Sequence, residues 1–402
     1  MIMRINSRIA MRIALLLSLF YGMPFVGTLP HIIRYAILAL VVVFSLIGII
    51  ISSIQKNTNG VIVLCLSLCL LFFLYIGFWS RSARVINYIG VTINFWLYLS
   101  ISVSLDDLDL FDNRLILRVF LAVFSFTLLT TAIGCIRYPE ASRILATGIQ
   151  SQNSMAYKRS NIGGYETIYS AVLLIPVVVH LVETRKNKVL YIVLLFLIIV
   201  NIVLSQYTIA LLLGFSILFI SIIISRPSLK KRNILGALIV LGAVLYLSTH
   251  IVTLLQELVT FLQDNEYKQS AIRISELLRI IQYKQWGVDS GSRIMLYEKS
   301  WNTFKQSPLF GCMFEKQGIG GHSEILDTLA ATGVFGASFA ALVFYIVTKS
   351  VMKTITKEMK SLIAVSFLSL LLLMCINTAF TSPLIAFVVF CLPIIVCKTE
   401  NN

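Results

Sequence analysis

Apolar residues run in long blocks along this chain, and short polar stretches separate them. The blocks lie near residues 11–29, 33–54, 61–79, 85–105, 115–136, 167–183, 188–205, 208–225, 233–254, 333–348, 361–380 and 383–397. Each approaches the roughly 20 residues that an α-helix needs to cross hydrocarbon. Inside hydrocarbon only helices or closed barrels satisfy every backbone group. The pattern therefore predicts an all-α polytopic membrane protein with about twelve transmembrane helices. The seventh and eighth blocks form one apolar run interrupted only at Ser205, Gln206, Tyr207 and Thr208, where a hairpin is expected. Arg4, Arg8 and Arg12 ahead of the first block mimic a signal peptide, but no small-residue cleavage site precedes Pro30. The segment is expected to stay as the first span.

The polar stretches set the organisation. Residues 1–254 read as a membrane region of about nine spans, residues 255–332 as a large loop, and residues 333–402 as a membrane region holding the last three spans. Positive charge in short loops stays in the cytoplasm. Arg185, Lys186 and Lys188, then Arg226, Lys230, Lys231 and Arg232, then Lys349, Lys353, Lys357 and Lys360 all fall on one side, with both termini. Against this stand Arg81 and Arg84 on the outside and Asp106, Asp107, Asp109 and Asp112 on the inside, although acidic residues weigh little in the rule. Two long loops then face outward, residues 137–166 and 255–332, and function is sought there. In the larger one Ile274, Leu277, Leu278 and Ile281 recur at helical spacing while Arg273, Glu276, Arg279 and Lys284 fall elsewhere on the wheel, predicting an amphipathic helix on the membrane surface.

Composition narrows the picture. Hydrophobic residues make up 58% and charged residues 13%, the balance of a chain that lives in lipid. The net charge of +15 does not point to nucleic acid, because the Lys and Arg punctuate apolar runs instead of lining one soluble face. Cys65, Cys69, Cys135, Cys375, Cys391 and Cys397 lie in or beside apolar segments, and Cys312 in the large loop is expected to be a free thiol. No cofactor and no metal site are expected. Phosphate-loop, HExxH and GxSxG signatures are missing. No internal repeat links the halves, which speaks against a transporter built from repeats.

Candidate chemistry concentrates in residues 291–336, GSRIMLYEKSWNTFKQSPLFGCMFEKQGIGGHSEILDTLAATGVFG. Gly311, Gly318, Gly320 and Gly321 permit unusual backbone, and Gly320 with Gly321 would bring backbone close to a ligand. His322 is expected to open a helix that leads into the tenth span, and its unperturbed pKa suits proton transfer near neutral pH. Glu324 and Asp327 are alternative bases or sugar ligands, or ordinary acids of a helix N-terminus. On a continuous helix His322 and Gly333 share a face about 16 Å apart. Gly333 with Ala337, and Gly336 with Ala340, would let a neighbouring membrane helix approach. Arg293, and in the earlier loop Arg137, Arg143 and Arg159, are candidate anion ligands. Trp301, Tyr297 and Phe310 offer rings for sugar stacking or interfacial anchoring.

His322, Ser323, nine further residues, Gly333 and Gly336 spell H[NSQ]x9GxxG. This resembles the signature of the O-antigen ligase and polymerase family, and the GSR, Trp301 and SPLFG upstream are similar to that family's preceding stretch, over about 45 residues in all. The resemblance implies a GT-C-like membrane glycosyltransferase, metal-independent, whose donor is a glycan on undecaprenyl pyrophosphate. It implies arginines on the diphosphate, one of them in the earlier loop, with Arg143 and Arg159 both open. Arg137 with Gly148 matches Rx10G, a spacing similar to that of some polymerases in the family. HSEILD resembles the polymerases more than the ligases. The expected protein is thus a bacterial inner-membrane polymerase of O-antigen or capsule repeat units. A lipid-linked oligosaccharide is its substrate, the outer face its workplace, and a chain-length regulator and a flippase its partners. The alternatives are an O-antigen ligase and, from another class, a polysaccharide flippase.

Overall fold

The computed structural model describes residues 2–56, 108–146, 151–225, 255–264, 288–313 and 319–400, with scattered positions between 68 and 105 and between 253 and 278. Among the described residues the chain is helical and contains no strand. The elements are α1 (Ile2–Tyr21), α2 (His31–Lys56), α3 (Leu110–Arg137), α4 (Ala141–Ala146), α5 (Gln152–Arg159), α6 (Tyr165–Thr184), α7 (Lys188–Leu204), α8 (Thr208–Ser225), α9 (Val288–Gln306), α10 (Glu324–Thr354), α11 (Lys357–Ile376) and α12 (Pro383–Glu400). Seven described helices are long and apolar enough to cross a membrane, and α7 is a shorter apolar one. The expected spans at 61–79, 85–105 and 233–254 fall wholly or in part outside the described residues. So do most of the expected amphipathic helix, of which Ile274 and Leu278 are described and helical, and the glycines Gly148 and Gly318.

The first expected span is corrected. Helix α1 begins near the chain start and stops at Tyr21, and a 3-10 turn at Pro24–Thr28 carries the chain to α2. Proline has no N–H to continue the ladder, so Pro24 and Pro30 bound this turn. Helices α1 and α2 form a tight hairpin in which Met11 lies directly against Gly48, and Ser7 Oγ donates to the Gly48 carbonyl at 3.1 Å. The expected interruption between blocks seven and eight is a real turn, with Gln206 at φ 58 between α7 and α8.

Two helices make the core. In α6 and α12, 83% of the span is buried within the protein, against 22–44% for the other five. Around them Phe95, Trp96, Phe120, Phe344, Phe380, Phe387 and Phe390 interlock, with ring centroids 5.1 Å apart for Phe95–Phe380 and 5.5 Å for Phe344–Phe380. A π-helical turn at Phe387–Cys391 lies inside α12.

Polar contacts fix which ends lie together. Arg12 meets Asp112 at 2.9 Å and Arg8 meets Asp109 at 3.5 Å, joining the first half of α1 to the start of α3. Lys398 Nζ donates to the Leu105 carbonyl at 2.9 Å, and Arg185 meets Glu400 at 3.7 Å, adding the ends of α12 and α6. Cys397 Sγ donates to the Thr354 carbonyl at 3.7 Å, adding the end of α10 with Lys349 and Lys353 nearby. The basic turns, the first half of α1 and the start of α3 therefore share one end, called the basic end below. The earlier long loop and the described residues of 288–332 lie at the other.

Candidate active site

Gly333 breaks α10. Its φ of 63° and ψ of −171° lie in a region that only glycine occupies without strain, so the helix splits into residues 324–332 and 334–354. A break orphans backbone groups on both sides, and buried orphans must find partners. The loop at 307–313 supplies them. Cys312 and Met313 donate their N–H groups to the Ala330 and Ala331 carbonyls at 2.8 and 2.7 Å, while Val334 and Phe335 donate to the Pro308 and Leu309 carbonyls at 2.8 and 3.1 Å. The Tyr75 hydroxyl lies 3.3 Å from the Thr332 carbonyl and 3.2 Å from that of Phe310. SPLFG and GxxG are thus two halves of one backbone exchange. Gly311, at φ 70°, sits against the Ala331–Thr332 peptide, and Gly333 against the Leu309–Phe310 peptide, where a Cβ has no room.

This corrects the packing role expected for Gly333, while Gly336 does admit the Tyr75 ring of a neighbouring helix. Gly333 makes no platform for another membrane helix; it is the break itself. A Cβ on Gly336 would meet Thr332 of its own helix and the Tyr75 ring. His322 and Gly333 do not sit on one continuous helix either, because Ser323 is the N-cap of α10 and His322 precedes it. The motif spacing has a direct physical reading: the residue after the histidine caps a helix, and that helix runs to Thr332 before the glycine ends it.

The turn bearing His322 is clamped from two sides. Ser323 Oγ accepts from the Leu326 N–H at 3.3 Å, and Asp327 reaches back to accept from the Ser323 N–H at 3.1 Å. The same carboxylate accepts from Ser300 Oγ of α9 at 2.6 Å, and Ser300 Oγ in turn accepts from the Gly320 N–H at 2.8 Å. Gly320 packs against the Leu296 carbonyl of α9, so its missing Cβ serves a helix contact and not the ligand approach expected. Glu324 is buried and accepts from the Ala379 and Phe380 N–H groups at 2.9 and 3.0 Å, pinning the link between α11 and α12. Both acids are therefore occupied in holding backbone. His322 is half-buried; burial first, and the Arg293 charge second, hold its pKa below the usual 6.5, while Asp327 pulls the other way.

Arg293 on α9 also acts electrostatically on Tyr165 and Tyr169 at the start of α6, and on Tyr297, whose hydroxyl donates to the Ile376 carbonyl at 3.0 Å. Burial raises the Tyr297 pKa. Arg143 on α4 acts on Tyr169 from the other long loop, and on Tyr207. Tyr165 and Tyr169 lie 4.5 Å apart and Tyr169 and Tyr207 stack at 6.1 Å, while Asn377 Nδ2 donates to the Tyr169 hydroxyl at 3.4 Å. Arg143 is held there because its loop folds back onto α3. Ile162 fills the space left by Gly134, the Gly163 N–H donates to Thr131 Oγ1 at 2.7 Å, and the Tyr207 hydroxyl donates to the Ser142 carbonyl at 2.7 Å.

The remaining candidates lie elsewhere. Arg137 is exposed, 5.5 Å over the Tyr138 ring, and Arg159 is exposed beside an open depression of about 390 Å³ with Ser151, Gln152 and Met155. Trp301 is on the outward side of α9, packed on Phe304 at 5.3 Å, and Phe310 packs on Phe335 at 6.0 Å. Cys135 and Cys312 are free thiols. No group of three or more metal-ligating side chains occurs among the described residues. Sequence reasoning missed Ser300, Asn377 and Tyr75, whose roles arise only from contacts distant along the chain. It left Tyr165, Tyr169 and Tyr207 without a role, although the first two stand in the glycine-led polar stretch GGYETIY at residues 163–169.

No protein-family model matches the chain, and no curated protein matches it.

Proposed function

We propose that the protein is a GT-C-like membrane glycosyltransferase of about twelve spans. In this reading it joins undecaprenyl-pyrophosphate-linked oligosaccharide units into O-antigen or capsular polysaccharide. The observation that carries the reading is convergence: Arg293 and Arg143, from two loops far apart in sequence, are both in electrostatic range of Tyr169, and Arg293 is also in electrostatic range of His322. Two guanidinium forks grip a diphosphate and stabilise the charge that develops as it departs. His322 is the general base. With its pKa held down it is neutral at pH 7, so it can take the proton of an incoming sugar hydroxyl as that oxygen attacks the reducing-end sugar. Ser300 and Asp327 hold the turn that aims it.

The basic end faces the cytoplasm by the positive-inside rule, which turns the His322 end to the outer face of a bacterial inner membrane. A donor already flipped across the membrane fits that side, and a chain-length regulator and flippase are the natural partners. The test is a gel of surface polysaccharide and lipid-linked intermediates from cells with the gene deleted and restored. A core bearing one repeat unit supports the polymerase. Long lipid-linked chains beside a bare core identify a ligase instead, and units trapped on the cytoplasmic face identify a flippase.

A further inference from the structure

The backbone exchange at Gly333 also sets the depth of the loop at 307–311. Val334 and Phe335 donate to the Pro308 and Leu309 carbonyls, so the loop stands level with the first turn of the helix after the break. That helix carries an exposed stripe of Val334, Phe335, Leu342 and Tyr345, which ends where Lys349 Nζ lies 5.4 Å over the Tyr345 ring. A lysine laid on a tyrosine at the basic end marks the polar boundary of the bilayer on that side. Phe335 precedes Lys349 by fourteen residues, about 21 Å of helix, whereas the hydrocarbon is about 30 Å thick. Even with the lysine reaching outward, the turn at Val334 and Phe335, and the loop beside it, fall at or just inside the opposite boundary.

Irregular backbone at that depth persists only where its polar groups are paired. Each of the five carbonyls from Ser307 to Gly311 has a donor. Ser307 accepts from the Gly311 N–H at 2.9 Å, Pro308 and Leu309 accept from α10, Phe310 shares the Tyr75 hydroxyl with Thr332, and Gly311 accepts from Ser307 Oγ at 3.0 Å. Pro308 has no N–H to satisfy. The Leu309 and Phe310 N–H groups take no partner among the described residues, which fits the headgroup boundary and not the hydrocarbon centre. The side chains do the reverse of the backbone. Leu309 is 64% and Phe310 55% exposed, beside the exposed Val334 and Phe335, with the Phe310 and Phe335 rings 6.0 Å apart. This apolar surface is continuous with the stripe that runs down α10, and a patch of that kind marks a membrane contact.

We propose that the loop at 307–311 is a membrane anchor: Leu309 and Phe310 insert among the lipids of the leaflet opposite the basic end, where headgroups meet acyl chains. Phe310 is then a lipid-facing ring and not a sugar-stacking one. Because the same loop donates to the Ala330 and Ala331 carbonyls, the anchor ties the segment led by the His322 turn to the lipid surface. This role requires only that α10 crosses a membrane, and it holds whether or not the protein is a glycosyltransferase.

The full chain carrying Phe310→Trp is reconstituted in phosphatidylcholine vesicles whose acyl chains are brominated either near the headgroup or near the chain end. The emission it adds to that of the four native tryptophans is measured against each bromine position and against iodide on both sides of the membrane. The added emission is expected to lose most of its intensity to bromine near the headgroup, less to bromine near the chain end, and little to iodide. Leu309→Trp gives an independent reading one residue away, with the same expectation. Quenching by iodide alone would put the loop in water and overturn the anchor. Quenching by neither agent, the mark of a patch covered by protein, would overturn it too. Strongest quenching from the chain end would place the loop at the bilayer centre and contradict the boundary depth.

Discussion

The two ends of this molecule use charge in opposite ways. At the basic end the side chains pair with one another: Arg12 with Asp112, Arg8 with Asp109, and Arg185 and His180 with Glu400. At the other end Asp327 and Glu324 accept from backbone N–H groups and a serine hydroxyl, and Arg293 and Arg143 are in electrostatic range of Tyr169. Charges matched to each other fasten helices. Carboxylates given over to backbone N–H groups fix the turns that carry the candidate residues. The contrast separates an end fastened by ion pairs from the end where the candidate residues gather, which the proposed function reads as the binding end.

Four changes test that contrast, in descending order of expected effect. Gly333→Ala forces a Cβ into the Leu309–Phe310 peptide at backbone angles that only glycine adopts. A cost of about 3 kcal/mol or more is expected, read as loss of monodisperse protein on size-exclusion chromatography. Retention of normal thermal stability would mean the backbone exchange is not what holds the site. Ser300→Ala strands the Gly320 N–H and half of the Asp327 carboxylate, for about 1–3 kcal/mol and a looser His322 turn. Site-resolved acylation of His322 should become faster in that variant.

The third test is pH. If neutral His322 is the base, the rate falls as pH drops through a midpoint below 6.5, because burial and Arg293 both disfavour its protonated form. Removing a cation relieves part of that, so Arg293→Gln should move the midpoint upward, whatever it does to the maximum rate. A midpoint that stays or falls would separate Arg293 from His322. The smallest effect is expected at the basic end. Arg8→Gln breaks only the half-exposed contact with Asp109 at 3.5 Å, costs about 1 kcal/mol or less, and should leave the rate unchanged. A large loss of activity there would blur the division between the ends.

Much of this was legible in the sequence, and unevenly so. Apolar blocks located α3, α6, α8, α11 and α12 because hydrocarbon thickness imposes a length that any chain must meet. The block starting at 333 coincides with the helix after the break, although the helical residues 324–332 ahead of it were hidden by their polarity. Helix α9 was also missed, since its sequence, rich in polar and aromatic residues, carries no clear apolar stripe. At the site, the histidine and Arg293 stood out by type and spacing. The partnership of SPLFG with GxxG did not, because backbone-to-backbone exchange leaves no side-chain signature beyond two glycines. Nor could spacing show which arginine of the earlier loop lies in electrostatic range of Tyr169; Arg143 does because Ile162 and Thr131 fold that loop back onto α3.

The central claim is that His322 acts at the binding end as a base. Wild type and His322→Ala, each purified and reconstituted in vesicles with undecaprenyl-pyrophosphate-linked repeat units, are compared for products on a gel and for folded protein by thermal melt. The account predicts a ladder from wild type, a rate lower by about 10² to 10⁴ in the variant, and the same melting temperature in both. A ladder of wild-type intensity from His322→Ala would contradict it.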